Sequence, residues 1–121
     1  MSRHSPNLLN ARQRKALTTI PENLEIRDIA HHYTLLPDDI ALINQQHGPT
    51  NRLGFAVQLC VLRFPGRALV DLPGVPEDVL AYIGEQVNIS PEKFAEYGER
   101  PATVTDHLNK LRGVFRWLYW T

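Results

Sequence analysis

Hydrophobic residues recur at intervals of three and four along most of the chain, and proline or glycine interrupts each stretch. Apolar positions at this spacing share one face of a helix, whereas a strand would alternate strictly. The predicted helices cover residues 11–20, 22–32, 37–46 and 51–63, then one opening at Pro76, one from Ser90 to Gly98, and one from Thr103 to about 119. Residues 65–76 are expected to form a connection with at most a short strand at 68–72. The pattern predicts an all-α bundle of about six to seven short helices in one domain, residues 1–121.

Prolines and short polar side chains mark the expected helix starts. Pro37 is expected at the first position of its helix, because that position needs no N–H donor. Thr50 or Asn51 is expected to cap the next helix, and Thr103 the last one, since such side chains accept hydrogen bonds from the first free N–H groups.

The segment 51–63 is apolar around nearly its whole circumference, which predicts a buried helix. Arg52 and Arg63 lie within about 20° of each other on this helix and about 16 Å apart along it. Two interpretations remain open for them. Either the pair holds two phosphates along one edge, or Arg63 pairs with an acidic residue of a neighbouring helix.

The last predicted helix has two distinct faces. One face is a core stripe made of Val104, Leu108, Leu111, Phe115 and Leu118. About 110° away on the helix lies a second stripe, made of Thr105, Asn109, Arg112 and Arg116. Arginine binds guanine and asparagine binds adenine in the major groove, and threonine binds phosphate. The second stripe is therefore either a DNA-recognition surface or an ordinary solvated face.

Segments 37–46 and 51–63 have the lengths of a helix-turn-helix, but an all-apolar second helix cannot lie in a DNA groove. A recognition helix would then be the last helix or the basic first one. The first helix carries the cationic residues Arg12, Arg14 and Lys15.

Charge is distributed unevenly even though 13 Lys and Arg balance 13 Asp and Glu to a net charge of zero. Residues 1–20, 50–70 and 100–121 carry +4, +3 and +3, whereas 21–49 and 71–99 carry −4 and −6. The blocks either build a basic face on a neutral domain or simply attract each other.

Catalytic and metal-binding motifs are not found in the sequence. The single Cys60 excludes an internal disulfide, and the adjacent His31 and His32 point in different directions and are a poor chelating pair. No phosphate-binding loop or nucleophile motif occurs. We expect no enzyme activity, no cofactor and no metal. No apolar stretch reaches the roughly 20 residues of a membrane span, and a reduced, cytoplasmic setting is expected.

Several runs of residues form a recognisable pattern. The most specific run is Asn51–Arg67, and the others are a stretch around Leu9–Leu17, Tyr33-Thr34-Leu35, Pro37-Asp38-Asp39, Leu42-Ile43 and Thr105-x-His107-Leu108. Together they resemble the N-terminal domain of the large replicative transposases of the Tn-three type, and the resemblance covers roughly residues 8–112.

This resemblance implies a helical module that binds double-stranded DNA at the terminal inverted repeats of a transposon. The family's catalytic core, an acidic metal-binding triad of the RNase H type, lies far downstream of the resembling region. No catalytic residue is therefore implied here. The implied DNA-facing residues are Arg52 and Arg67, and the implied core residues are Leu53, Phe55, Leu59 and Leu62.

The sequence is interpreted as departing from the family after about Arg112, where four of the last seven residues are aromatic. A C-terminally truncated transposase domain is one explanation. The aromatic end favours an alternative function as well, a helical module that dimerises or docks on a full-length transposase. Such a module would be a regulator or an inert remnant.

Overall fold

Six α-helices make up the part of the chain that the computed structural model describes, residues 20–21 and 24–119, and no strand occurs there. The helices are α1 (Ile26–Tyr33), α2 (Pro37–Asn44), α3 (Pro49–Arg63), α4 (Glu77–Val87), α5 (Lys93–Gly98) and α6 (Pro101–Tyr119). The predicted all-α class is confirmed. The helix predicted at residues 11–20 lies outside the described residues, except for Ile20, which is buried in the core.

The hydrophobic core forms around α3, which contacts all the other helices. Every residue from Leu53 to Val61 is buried, so the predicted burial of this segment is confirmed. Of the core residues implied by the resemblance, Leu53, Phe55 and Leu59 are fully buried and Leu62 packs partly buried against them. Because α3 is covered on all sides, it cannot enter a DNA groove.

A glycine sets the distance between α3 and α5. Gly54 faces the ring of Tyr97, and a Cβ added at Gly54 would fall onto that ring. Tyr97 itself is fully buried. Only a residue without a side chain lets the aromatic ring lie against the α3 backbone, and this contact fixes where α5, and the chain entering α6, can lie.

Several helix ends differ from the sequence-based expectation. Helix α3 begins at Pro49, and its N-cap is Gly48 with a φ of 83°, so neither Thr50 nor Asn51 is the cap. The backbone at Gly48 adopts a conformation that favours glycine, which places proline at the first helical position. Helix α6 likewise begins with a proline, Pro101, so the predicted cap Thr103 lies inside the helix.

The connection between α3 and α4 contains a 3-10 turn, Leu69–Asp71, where a short strand was the most that the sequence predicted. The described residues include no neighbouring strand with which an extended segment could pair, and this segment closes local hydrogen bonds instead. The Asp71 N–H donates to Ala68 O at 3.0 Å.

Candidate nucleic-acid interface

Helix α6 presents one face to the core and another to solvent. Val104, Leu108 and Leu111 are buried against the core, at 8%, 7% and 0% exposure. The second predicted stripe is exposed along its whole length, and we call it the outer stripe; its members are Thr105, Asn109, Arg112 and Arg116. These side chains form no hydrogen bond or ion pair with any other described residue. Their donors and acceptors are available to a ligand.

Three buried polar side chains lie between α3, α5 and α6, and we call Gln58, Tyr97 and His107 the inner cluster. Gln58 Nε2 donates to the Tyr97 hydroxyl at 2.7 Å and to the Val104 carbonyl oxygen at 2.9 Å. The Tyr97 hydroxyl lies 2.8 Å from His107 Nδ1. The two Gln58 Nε2 hydrogens and the hydroxyl hydrogen are all used when this hydroxyl donates to Nδ1, which assigns His107 the neutral tautomer protonated at Nε2. Gln58 Oε1 is buried without a partner among the described residues.

The inner cluster is uncharged near neutral pH. Burial raises the pKa of Tyr97 to about 12, although the hydrogen bond from Gln58 acts in the opposite direction. Burial, and then the positive charge of Lys110, lowers the pKa of His107 below its ordinary 6.5, while the Asp106 charge opposes this. The cluster therefore holds α6 in place without contributing a charge to the surface.

Arg63 forms an ion pair with Asp39 of α2. Its two terminal nitrogens donate to the two carboxylate oxygens of Asp39, each at 2.6 Å, and the side chain of Asp39 is only 5% exposed. Burial alone would raise the pKa of Asp39, but hydrogen bonds from Arg63 and the Leu36 N–H, together with the Arg63 charge, lower it overall. The predicted pairing with a neighbouring helix is confirmed, and the two-phosphate grip by Arg52 and Arg63 is wrong.

Arg52 and Arg67 lie near opposite ends of α3. Arg52 is half-buried, and its Nε donates to the Gln46 carbonyl oxygen at 3.0 Å. Arg67 is exposed in the turn after α3, where its N–H donates to Val61 O at 3.1 Å. Val61 is nine residues from Arg52, or roughly 14 Å along the helix axis at ~1.5 Å per residue, so one phosphate cannot bridge the two arginine backbones. Their DNA-facing role stays a prediction.

Two cations that the sequence did not single out lie with Arg52 around an open groove between the α2–α3 turn and α6; Lys110 lines the groove, whereas Arg52 and Arg100 are bonded to the lining residues Gln46 and Asn51. Lys110 Nζ donates to Gln46 Oε1 at 3.3 Å, and Arg100 Nη1 donates to Asn51 Oδ1 at 3.0 Å. We call this the cation groove. It has a volume of about 500 Å³, and its lining includes Gln46, His47, Asn51, Asp106, Asn109 and Lys110.

The cation groove brings together residues that are far apart in sequence. Arg100 and Asn51 are 49 residues apart, and Lys110 and Gln46 are 64 apart. The basic block of residues 100–121 was the one available signal for Arg100 and Lys110. Nothing in that block indicates which other segment it would meet.

The remaining predicted site residues lie outside the described part of the chain. These are Arg12, Arg14 and Lys15 of the predicted first helix. The side chains of residues 117–121, to which self-association was assigned, lie outside it as well. Their roles stay predictions.

Other chemistry is limited in the residues that are described. Among them, no three His, Cys, Asp or Glu side chains are grouped so that they could hold a metal ion. Burial raises the pKa of the Cys60 thiol to about 12, as expected for a core cysteine rather than a nucleophile. Within residues 20–21 and 24–119, no helix has the length and apolar character to cross a membrane.

Comparison with known proteins gives one consistent relationship. Residues 8–121 match the family described as "Domain of unknown function (DUF4158)". The chain is 42% identical over 105 residues to the transposase for transposon Tn501 of Pseudomonas aeruginosa, which covers 87% of this chain and 10% of that protein. It is 43% identical over 111 residues to the transposase for transposon Tn21 of Escherichia coli, covering 90% and 11%.

A third relative is the transposase for transposon Tn1546 of Enterococcus faecium, 36% identical over 114 residues, which covers 94% of this chain and 11% of that protein. The chain thus spans about a tenth of the length of these relatives. The family match continues to residue 121, beyond the departure expected near Arg112.

Proposed function

Because the chain belongs to the DUF4158 family and corresponds to the N-terminal region of Tn3-family transposases, we propose that it binds double-stranded DNA at the terminal inverted repeats of a transposon. The observation that supports this most is the outer stripe of α6. It combines two arginines, an asparagine and a threonine on one exposed face, without partners among the described residues. Such a surface is available for base and phosphate contacts.

The outer stripe has dimensions that suit a DNA groove. From Thr105 to Arg116 it extends eleven residues, or about 16 Å at ~1.5 Å per residue. That length corresponds to about five base pairs at ~3.4 Å each. In the proposed complex Arg112 and Arg116 contact guanine edges or phosphates, Asn109 contacts an adenine edge, and Thr105 contacts a phosphate.

Phosphate contacts away from α6 are proposed for Arg52, Arg67 and the predicted basic helix with Arg12, Arg14 and Lys15. Such contacts hold the duplex electrostatically and set its register without distinguishing sequences. The buried inner cluster gives α6 a fixed position, and the Arg63–Asp39 pair joins α2 to α3. In this proposal the segment positions DNA and performs no catalysis, and it needs no metal or cofactor.

Fluorescence anisotropy with defined duplexes tests the proposal. The full 121-residue chain is titrated into labelled duplexes that carry the terminal repeats of Tn501 or Tn21, and into scrambled duplexes of equal length and composition. We expect tighter binding to the repeats and a loss of affinity as salt rises, because phosphate contacts release counterions. Equal affinity for repeat and scrambled duplexes, or affinity without salt dependence, would contradict the proposal.

Matched variants locate the contact on α6. Replacing Arg112 by Gln is expected to reduce the preference for the repeat by about tenfold, since a good base contact contributes ~1–3 kcal/mol of discrimination. The control is Arg27→Gln, which removes another exposed arginine, from α1; Arg27 Nε lies 3.2 Å from Glu25 Oε2. An equal loss of preference in both variants would place the contact elsewhere.

A further inference from the structure

The hydrogen-bond acceptors of the three cations at the cation groove do not neutralise their positive charges. Arg52, Arg100 and Lys110 donate to a backbone carbonyl oxygen and to two side-chain amide oxygens, all of them neutral. None of the three lies within ion-pair distance of a described carboxylate. Arg63 shows the other arrangement, because a carboxylate receives both of its terminal nitrogens. The groove cations are therefore held in place but remain uncompensated.

Gln46 and Asn51 hold these cations in one place. Gln46 receives Arg52 Nε on its carbonyl oxygen and Lys110 Nζ on its side-chain oxygen, and its own Nε2 donates to Leu42 O at 3.0 Å. Gln46 is itself only 6% exposed. The buried side-chain amide therefore holds Lys110 at the groove, and the backbone carbonyl oxygen of the same residue holds Arg52 beside it, before any ligand arrives. Such preorganisation reduces the entropy lost on binding.

The size and charge of the groove suit one phosphate. Its volume of about 500 Å³ admits a phosphate with part of its sugar, and each of its lining residues carries a polar side chain. Lys110 and Asp106 contribute one charge of each sign to the lining, and Arg52 and Arg100, bonded to the lining residues Gln46 and Asn51, add two positive charges beside it. Asn109 lines the groove and also belongs to the outer stripe. A ligand in the groove would therefore be adjacent to one on the stripe.

We infer that the cation groove binds a phosphate of the DNA backbone through Arg52, Arg100 and Lys110. The inference rests on the proposed function for the source of the phosphate. Backbone contacts position a protein on DNA, whereas base contacts select the sequence. The groove sets the register of the duplex, and the outer stripe on the neighbouring face of α6 makes the selective contacts.

The salt dependence of DNA binding distinguishes the two roles. Each phosphate contact adds about 0.9 to the slope of log affinity against log salt. Lys110→Gln and Arg100→Gln are each expected to lower the magnitude of this slope by up to about one. Each is also expected to weaken binding to the repeat duplex and to the scrambled duplex equally. Lys93→Gln is the matched control, because Lys93 is paired with Glu96 at 3.2 Å on α5. It is expected to keep the wild-type slope.

A gain of affinity provides a test that misfolding cannot imitate. Asp106 is exposed and is expected to repel a phosphate in the groove, so Asp106→Asn is expected to tighten binding to both duplexes by several-fold. Unchanged slopes in both Lys110→Gln and Arg100→Gln, with DNA binding retained, would overturn the groove assignment while leaving the proposed function intact.

Inorganic phosphate tests the groove independently of DNA. NMR of the full chain is expected to show phosphate-dependent shifts at the amides of Gln46 and Asn51, which disappear in Lys110→Gln and persist in Lys93→Gln. If the wild type binds no DNA, the proposed function fails, and the phosphate-dependent NMR shifts then decide by themselves whether the groove binds phosphate. Their absence in the wild type would then overturn the inference.

Discussion

The inner cluster and the outer stripe lie on nearly opposite sides of α6, and they differ in what surrounds each polar group. Gln58, Tyr97 and His107 are buried and joined by hydrogen bonds of 2.7 and 2.8 Å. The side chains of the outer stripe are exposed and bond to no other described residue. Buried polar groups that are joined by hydrogen bonds stabilise one packing arrangement, and in this cluster only Gln58 Oε1 has no partner among the described residues. Exposed groups without partners contribute little to stability and remain available to a ligand.

The largest effect is expected from Gly54→Ala, which should destabilise the buried side of α6. The added methyl group would displace the Tyr97 ring, and the hydrogen bonds of the inner cluster would be lost with it. We expect a loss of about 3 kcal/mol in the free energy of unfolding, as for overpacking of a tight core. Urea unfolding followed by circular dichroism measures it.

Gly113→Ala is the matched control for that prediction. Gly113 lies exposed on α6, and a Cβ added there meets nothing within 4 Å. This variant is expected to gain up to about 1 kcal/mol, because alanine is the better helix former. If both alanine variants shifted stability alike, the close contact of α3 with α5 would not be what fixes the fold.

The next largest effect is expected from Tyr97→Phe. It removes the hydroxyl that links Gln58 to His107 and leaves two buried groups short of a partner. We expect a loss of about 2 kcal/mol on unfolding. Tyr82→Phe removes a hydroxyl that lies 2.6 Å from Thr34 Oγ1 at the surface, where water replaces the bond, and it is expected to cost under ~1 kcal/mol. Equal losses of unfolding free energy in the two variants would show that the buried hydroxyl of Tyr97 stabilises the fold no more than an exposed hydroxyl does.

The sequence predicted the outer stripe of α6 but not the inner cluster on its other side. Helical periodicity placed Thr105, Asn109, Arg112 and Arg116 on one exposed face, because that geometry is local to one helix. The same periodicity predicted the burial of α3. Local rules competed at the helix starts, where Gly48-Pro49 and Pro101 prevailed over the polar caps Asn51 and Thr103.

The inner cluster and the cation groove were not predicted because they depend on which helices meet. Gln58 and Tyr97 are 39 residues apart, and within the sequence Gln58 is one polar residue inside the apolar segment 53–62. Arg100 and Lys110 gained a site only when α6 packed beside the α2–α3 turn. A close contact such as Gly54 with Tyr97 sets that packing, and no pattern within either segment specifies the other.

Acidification is expected to lower the free energy of unfolding through His107 of the inner cluster. The pKa of folded His107 lies below 6.5 because of burial and the nearby Lys110 charge, so the unfolded state binds more protons as pH falls through that range. The free energy of unfolding should therefore decrease from pH 7 toward pH 5. His107→Gln should show a smaller decrease in urea unfolding at these two pH values.

His32 provides the comparison for this pH effect. Burial, together with the neighbouring His31 charge, also lowers the pKa of His32, against the influence of Asp28. His32 stacks on Phe64 with ring centroids 3.8 Å apart, away from the inner cluster. His32→Gln should remove a separate part of the pH dependence, and the double variant should remove both. A wild-type pH dependence in His107→Gln would mean that His107 is not buried as the neutral form.

The smallest effect on stability is expected from the outer stripe itself. Arg112→Gln and Asn109→Ala change exposed side chains that support no other described residue, so each should alter the free energy of unfolding by less than about 0.5 kcal/mol. The same urea experiment as for Gly54→Ala measures this. A loss above that size would mean that the outer stripe contributes to packing and is not kept free for a ligand. Unchanged stability together with reduced preference for the repeat duplex would separate the two sides of α6, one stabilising the fold and the other binding DNA.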